Sequence, residues 1–365
     1  MSSDLPARPT APGVVLRREL DARGWTQKDL AAILDRPAQV ITEIIRGTKQ
    51  ITPETALELG AALGTPADLW TNLETAYRLQ VARSRHTSSE VIARRAKVFD
   101  RLPIAEMIKR GWIRPSKDID ELDRQACGFL GVRNIQEDTK SFASCRRSSQ
   151  TADAVAAQRA WVRRLEIVTS KQRIRAKFTA DALRSGLSEI RKLAENEDDI
   201  AKVPTALNGL GVRFVVVHHL PKTRIDGAAL LGENGPIVGL SLRYDRIDSF
   251  WFTLLHELAH LALKHEGNHL DLDILDKDAK LERDETQANE LAGETLLSAR
   301  QFKDFVQNNR GVMSRDRVED FARLQKVHPG LVVGRMQFEG VIPYSHFRSY
   351  LVKISRHLAP WIDAP

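Results

Sequence analysis

The run FWFTLLHELAHLALKH, residues 250–265, decides how this chain reads. It is apolar on most faces, which predicts a helix buried nearly all round rather than one lying half in water. Inside it stands His256-Glu257-Leu258-Ala259-His260, an H-E-x-x-H pair. At 3.6 residues per turn, His256 and His260 stack on one face, so their two imidazoles can bind one ion. Glu257 lies next to that face, where it can accept a proton from water that an ion has acidified.

Two histidines leave a zinc ion short of a third protein ligand. An extension in the metzincin style would place that ligand at Glu266, but Leu263 stands where the pattern needs glycine and Glu266 is not histidine. His265, five residues past His260, is expected to point away from the ligand face. A better candidate lies in ERDETQANELAGETLLS, residues 282–298, read as a helix carrying Glu285 with Asn289 one turn later. Glu285 can close the coordination sphere, and Asn289 can hydrogen-bond the outer nitrogen of a ligand histidine and fix its orientation. Two histidines and a glutamate leave the fourth position open, as in a catalytic site; a structural zinc is closed by four protein ligands. One zinc per chain is the expectation.

These stretches resemble the ImmA/IrrE metallopeptidase family, the resemblance running from about Leu207 to Leu297. It implies zinc, the ligands His256, His260 and Glu285, and Glu257 as general base. It also implies a substrate among helix-turn-helix repressors, which family members are associated with cleaving. Gln287 stands where the family often has an acidic residue, and Leu297-Ser298 where it often has Met-Pro. Neither departure touches the expected chemistry, although both bear on how the helix end packs. For the oxyanion the candidates are His328 in KVHPGLVVGRMQ, preferred over Arg335 and over Tyr244 in SLRYDR. His328 reads equally well as part of a loop between helices at Ser314–Lys326 and Leu331–Gln337.

Upstream of the histidines the texture changes. GVRFVVVHHLP and AALLGENGPIVGLSL carry β-branched apolar runs around glycine turns and read as strands, the second pair joined as a hairpin through Glu233-Asn234-Gly235. The segment Gly227–Leu242 is a candidate sheet edge to which an extended substrate could add. His218 and His219 read as strand-end residues rather than ligands.

The N-terminal third has a different pattern. Between Val14 and Leu79 five helices fit. The first ends at Arg23-Gly24, and the second opens at Thr26 with Asp29 in the acidic position of a capping box. Asp35-Arg36-Pro37 makes a turn, a third helix runs from Ala38 to Arg46 with Ile41 and Ile44 inward, and Pro53 starts a fourth. Two short helices joined by a tight turn, the second amphipathic, form a helix-turn-helix. The string TQKDLAAILDRPAQVITEIIRGTKQITPETALELGAALGT resembles the Xre/lambda-repressor class, most closely its HigA-like antitoxin branch, over roughly 70 residues. That resemblance puts the third helix in the major groove of operator DNA. Gln39, Thr42, Glu43 and Arg46 would then meet base edges or phosphates, and Gln27 and Lys49 would hold phosphate. Glu43 repels phosphate but can accept from cytosine N4.

Composition agrees with a globular chain and adds little more. The 365 residues carry a formal net charge of +7, compatible with nucleic acid without requiring it. Two cysteines make no disulfide framework, and the opening MSSDLPARPTAPG has no apolar core of a signal peptide, so the cytoplasm is expected, with no membrane partner. The fold class read from these parts is α+β and mostly α-helical. It comprises an arm at 1–13, a five-helix lambda-repressor-like domain at 14–80 and a helical middle region at 81–205. A zincin domain with a small sheet follows at 206–300, then a helical C-terminal region at 301–365. The functional expectation is a zinc endopeptidase that binds double-stranded DNA, cuts a protein regulator and is a possible homodimer. The rival readings are a DNA-binding regulator whose metal domain senses or scaffolds, and an antitoxin that silences a toxin without proteolysis.

Overall fold

The computed structural model describes residues 10–85, 88–137, 152–232, 234–265, 267–272, 283–309, 311 and 313–363. Cys145, Glu233, Glu266 and most of the expected arm lie outside the described residues. The chain forms two compact units that divide after Arg94. The division expected at residue 80 falls inside a continuous helix.

The first unit holds α1 (Pro12–Arg23), α2 (Gln27–Ile33), α3 (Ala38–Ile45), α4 (Pro53–Leu63) and α5 (Ala67–Arg85). Gly24, at φ 66°, ends α1 in the left-handed conformation that a residue without Cβ adopts freely. Thr26 and Asp29 complete their capping box: the Asp29 N–H donates to the Thr26 hydroxyl (3.2 Å), and the Thr26 N–H donates to the Asp29 carboxylate (2.7 Å). Leu16, Leu30, Ile41, Ile44, Leu59 and Trp70 close the core. Gly13 lets α1 approach the end of α3, since a Cβ there would lie 2.6 Å from the Ile44 carbonyl oxygen. Replacing Thr26 by Ala removes one half of the box and should cost about 1 kcal/mol. Amide exchange in α2 should then quicken about fivefold; unchanged exchange would show that the cap contributes nothing to α2.

The second unit is layered around one sheet. Before it come α6 (Ser88–Arg101), which crosses the division, α7 (Ile104–Lys109), α8 (Ile119–Leu130), α9 (Ala152–Thr169), α10 (Ala180–Lys192) and α11 (Val203–Gly209). The strands are β1 (Arg213–Val216), β2 (Ile225–Gly232), β3 (Gly235–Leu240) and β4 (His269–Leu272), in the spatial order β1-β3-β2-β4. β1 runs parallel to β3, while β2 is antiparallel to both β3 and β4. Alternate residues face opposite ways, as a period of two demands. Val215, Ala228, Leu230 and Ile237 pack under α9 with Trp161 and Leu165. Phe214, Val216, Ala229, Val238 and Leu240 face the other way, onto α12 (Ile247–Ala262).

After β4 come α13 (Arg283–Leu296), α14 (Ala299–Asn308), α15 (Arg315–Gln325) and α16 (Pro329–Phe338). Within the helical middle region, α9, α10 and α11 supply core residues to both faces of the sheet. One expectation changes here. The segment Gly227–Leu242 is no edge: β2 and β3 are the inner strands, each paired on both sides. On the β1 side, Val216 bridges to Ile362, and Asp363 donates its N–H to the Val216 carbonyl (2.8 Å). The other outer strand is β4. Among the described residues, no helix is long and apolar enough to cross a membrane.

Candidate metal centre

α12 is buried along nearly its whole length, as its sequence predicts. Trp251, Leu254, Leu255 and Leu258 anchor it in the core, and the N–H of Ile247 in its first turn donates to the Val352 carbonyl (3.0 Å). One face presents His256 and His260, both essentially without solvent exposure. Their Nε2 atoms lie 2.9 Å apart. α13 packs across α12 and brings Glu285 Oε2 to 3.3 Å from His256 Nε2 and 3.7 Å from His260 Nε2. A zinc ion held tetrahedrally at about 2.1 Å needs its ligand atoms about 3.4 Å from one another. The three separations bracket that value, and two imidazole nitrogens with a carboxylate oxygen are a fitting donor set, so the residues present fit a zinc ion.

Burial pushes the Glu285 pKa upward. Hydrogen bonds to His256 and His260, and the charge those rings carry when protonated, outweigh it and hold the carboxyl below the usual carboxylate range. The outer nitrogen of His256 is fixed as well: Nδ1 lies 2.9 Å from Asn289 Oδ1, one turn along α13 from Glu285. Glu257 is fully buried beside the pair, against β2. A Cβ added at Gly227 would lie 3.0 Å from Glu257 Cδ, 2.9 Å from Thr253 Cγ2 and closer still to Glu257 Oε1. The bare glycine thus makes the wall on which the carboxylate rests. An irregular step in the β2–β4 pairing, between Ile225 and Gly227, sets that wall in place.

The three oxyanion candidates make their hydrogen bonds elsewhere. His328 caps α16, where its Nδ1 accepts from the Gly330 N–H (3.0 Å), and its own N–H donates to the Ala194 carbonyl (2.7 Å). Gly330 abuts Ile247, at the opposite end of α12 from the metal-facing pair. Nine residues of helix separate Ile247 from His256, about 13 Å along the axis. Arg335 donates to the Leu297 carbonyl (2.5 Å) and to Glu339 (2.8 Å). Tyr244 is exposed and accepts from Arg243 (3.1 Å).

Burial depresses the His328 pKa below its ordinary 6.5, with Glu197 opposing. The folded state therefore binds fewer protons than the unfolded one, and stability should fall as pH drops below about 6.5. His328→Asn retains an N-cap acceptor and should flatten that fall, read in thermal melts from pH 7.5 to 5.5. An equally steep fall in the variant would contradict this.

In the first unit, four of the candidate DNA contacts form two separate hydrogen-bonded pairs. The Thr42 hydroxyl lies 2.9 Å from Gln27 Oε1, joining the start of α2 to α3. Gln39 donates to Glu43 (2.9 Å), which ties the acid back along its own helix. Arg46, at the C-terminal end of α3, and Lys49 beyond it are exposed.

Comparison with known proteins finds one family match within each of the two units. A helix-turn-helix family model matches residues 16–70, and a model of the IrrE N-terminal-like domain, a peptidase family, matches residues 213–332. Virulence-associated protein I of Dichelobacter nodosus is 38% identical over 82 residues, which cover 22% of this chain and 76% of that protein. The chain belongs to the helix-turn-helix family. It joins that DNA-binding domain to an IrrE N-terminal-like one. An uncharacterized HTH-type transcriptional regulator of Escherichia coli is 25% identical over 71 residues, 20% of this chain and 76% of that one. An addiction module antidote protein of a HigA family from Coxiella burnetii is 34% identical, covering 24% of this chain and 94% of that one, with a TM-score of 0.22.

Within the IrrE N-terminal-like domain, two histidines enter the site that sequence reasoning set aside or passed over. His265 Nδ1 lies 3.0 Å from His260 Nδ1, and the His269 ring stacks on the His260 ring at 3.9 Å between centroids. A signal existed: four of the ten histidines fall between residues 256 and 269.

Proposed function

We propose that this chain is a zinc-dependent endopeptidase that cuts a protein regulator, and that its helix-turn-helix domain brings it to operator DNA. The observation that carries the reading is the convergence of His256, His260 and Glu285 with a buried carboxylate, Glu257, on the same helix. Bound zinc would supply Lewis acidity, acidifying water and polarising a peptide carbonyl. His256 and His260 would hold the ion through Nε2, and Glu285 would add the balancing charge. The Glu257 carboxylate takes the proton from water as it attacks the peptide carbon, then delivers that proton to the leaving amine nitrogen. The surrounding apolar core excludes bulk water and strengthens each of these charge contacts.

β4, an outer strand, offers a place for an extended peptide to add, with His269 on it lying against His260. Operator binding through α3 favours a homodimer on a palindromic site and a substrate found at the same DNA, such as a helix-turn-helix repressor. The working compartment in this reading is the cytoplasm.

Incubating the zinc-loaded protein with helix-turn-helix regulators encoded beside it tests the reading. Two fragments from one cut, lost on chelation, are the expected result by mass spectrometry. Intact regulators together with specific operator binding would favour a regulator whose metal domain senses without cutting.

A further inference from the structure

A helical register alone sends His265 away from His260; the end of α12 reverses that. Lys264 takes the left-handed conformation, φ 59°. The His265 N–H then donates to the His260 carbonyl (3.1 Å), and the Lys264 N–H to that of Leu261 (3.4 Å). This pair of bonds is a Schellman motif, which brings the side chain two residues past the cap back onto the one three residues before it. In most proteins that contact is apolar. Here both partners are imidazoles, joined Nδ1 to Nδ1, and the far nitrogen of His265 meets Gln287 Oε1 on α13 at 3.2 Å.

Resting on the metal centre proposed above, we infer that His265 and Gln287 form a relay that sets the tautomer and orientation of His260. The proton positions follow once a metal takes the Nε2 lone pairs. His260 Nε2 faces His256 and Glu285, so its lone pair must be free for a metal and its proton sits on Nδ1. That proton is donated to His265 Nδ1, which therefore carries none. The His265 proton is on Nε2 and is donated to the Gln287 carbonyl oxygen. His256 has the parallel arrangement in one step, donating from Nδ1 to the Asn289 carbonyl oxygen. Two side-chain amides of α13 thus orient both metal-facing histidines, one directly and one through His265. Gln287, where the resembling family often carries an acid, is the outer anchor of this relay. His265 and Gln287 act through His260 and are positioning residues.

The test compares zinc dissociation constants, by chelator competition, for wild type, His265→Phe, Gln287→Leu and Gln287→Glu. Phenylalanine keeps a ring against His260 while removing both nitrogens, so a loss is not merely one of packing. His265→Phe should weaken zinc binding about tenfold or more. Gln287→Leu should fall between it and wild type, and Gln287→Glu, which still offers an acceptor, should restore most of the affinity. Long-range 1H–15N spectra of the zinc-loaded wild type should show His265 protonated at Nε2 and bare at Nδ1. Unchanged zinc affinity in His265→Phe, or a proton on His265 Nδ1, would overturn the relay while leaving the metal centre standing. A second zinc per chain that disappears in His269→Ala would also overturn it, since His265 Nδ1 would then be a ligand. A wild type that takes up no zinc would remove the metal centre and the relay together.

Discussion

Glu257→Gln will bind zinc as the wild type does and lose peptide cleavage by about 10²–10⁴-fold, the usual contribution of a positioned general base. The substitution is isosteric, and Glu257 is not one of the three converging ligand side chains. The amide fills the same buried volume beside Gly227 and Thr253 but cannot take a proton from water. Zinc content by elemental analysis and the rate of regulator cleavage, measured on one preparation, separate the two effects. A variant that keeps both zinc and full cleavage would remove Glu257 from the mechanism. One that loses zinc as well would make Glu257 a part of the ligand set.

Gly227→Ala will act on the same carboxylate from the opposite side. The glycine is not in the left-handed region, so the backbone accepts alanine without strain. The added methyl group meets the far end of the Glu257 side chain and the Thr253 methyl group. The carboxylate is the more mobile of the two and should yield. A displacement of about 1 Å at a reacting group costs about 10²-fold in rate. Cleavage should fall by that order while zinc affinity and the unfolding transition stay close to wild type. Full activity in this variant would mean that the carboxylate works from a position away from β2.

Where the sequence was informative, local rules were enough. The run around His256 is apolar on most faces, which places it in a core, and helical spacing then aligns the two imidazoles. The spacing of Glu285 and Asn289 on one helix predicts that both reach the same site, and the structure puts Asn289 on His256 Nδ1. Thr26 and Asp29 announce the start of α2 through capping chemistry alone.

What was not legible depends on long-range packing or on rare backbone conformations. The described part of β4 covers His269–Leu272, too few residues for alternation to mark a strand, so the sequence alone points to the wrong strands for the sheet edge. His265 was set aside by a spacing argument that holds only while the helix continues. The left-handed turn falls on Lys264, where glycine would have announced it. For His328 the sequence leaves two readings open, an oxyanion donor or part of a loop, because His-Pro-Gly fits both. Only the packing of α16 against the start of α12 shows it to be a helix cap. Gly227 was read as one residue of a strand, and its role appears only when β2 is laid against Glu257.

The chemistry proposed for the second unit depends on His256, His260 and Glu285 holding one metal ion. Diffraction from zinc-loaded crystals, with data on both sides of the zinc absorption edge, tests that directly. The account predicts one anomalous peak per chain, about 2.1 Å from both Nε2 atoms and from a Glu285 oxygen. No peak there, or a peak held by His265 and His269 instead, would contradict it.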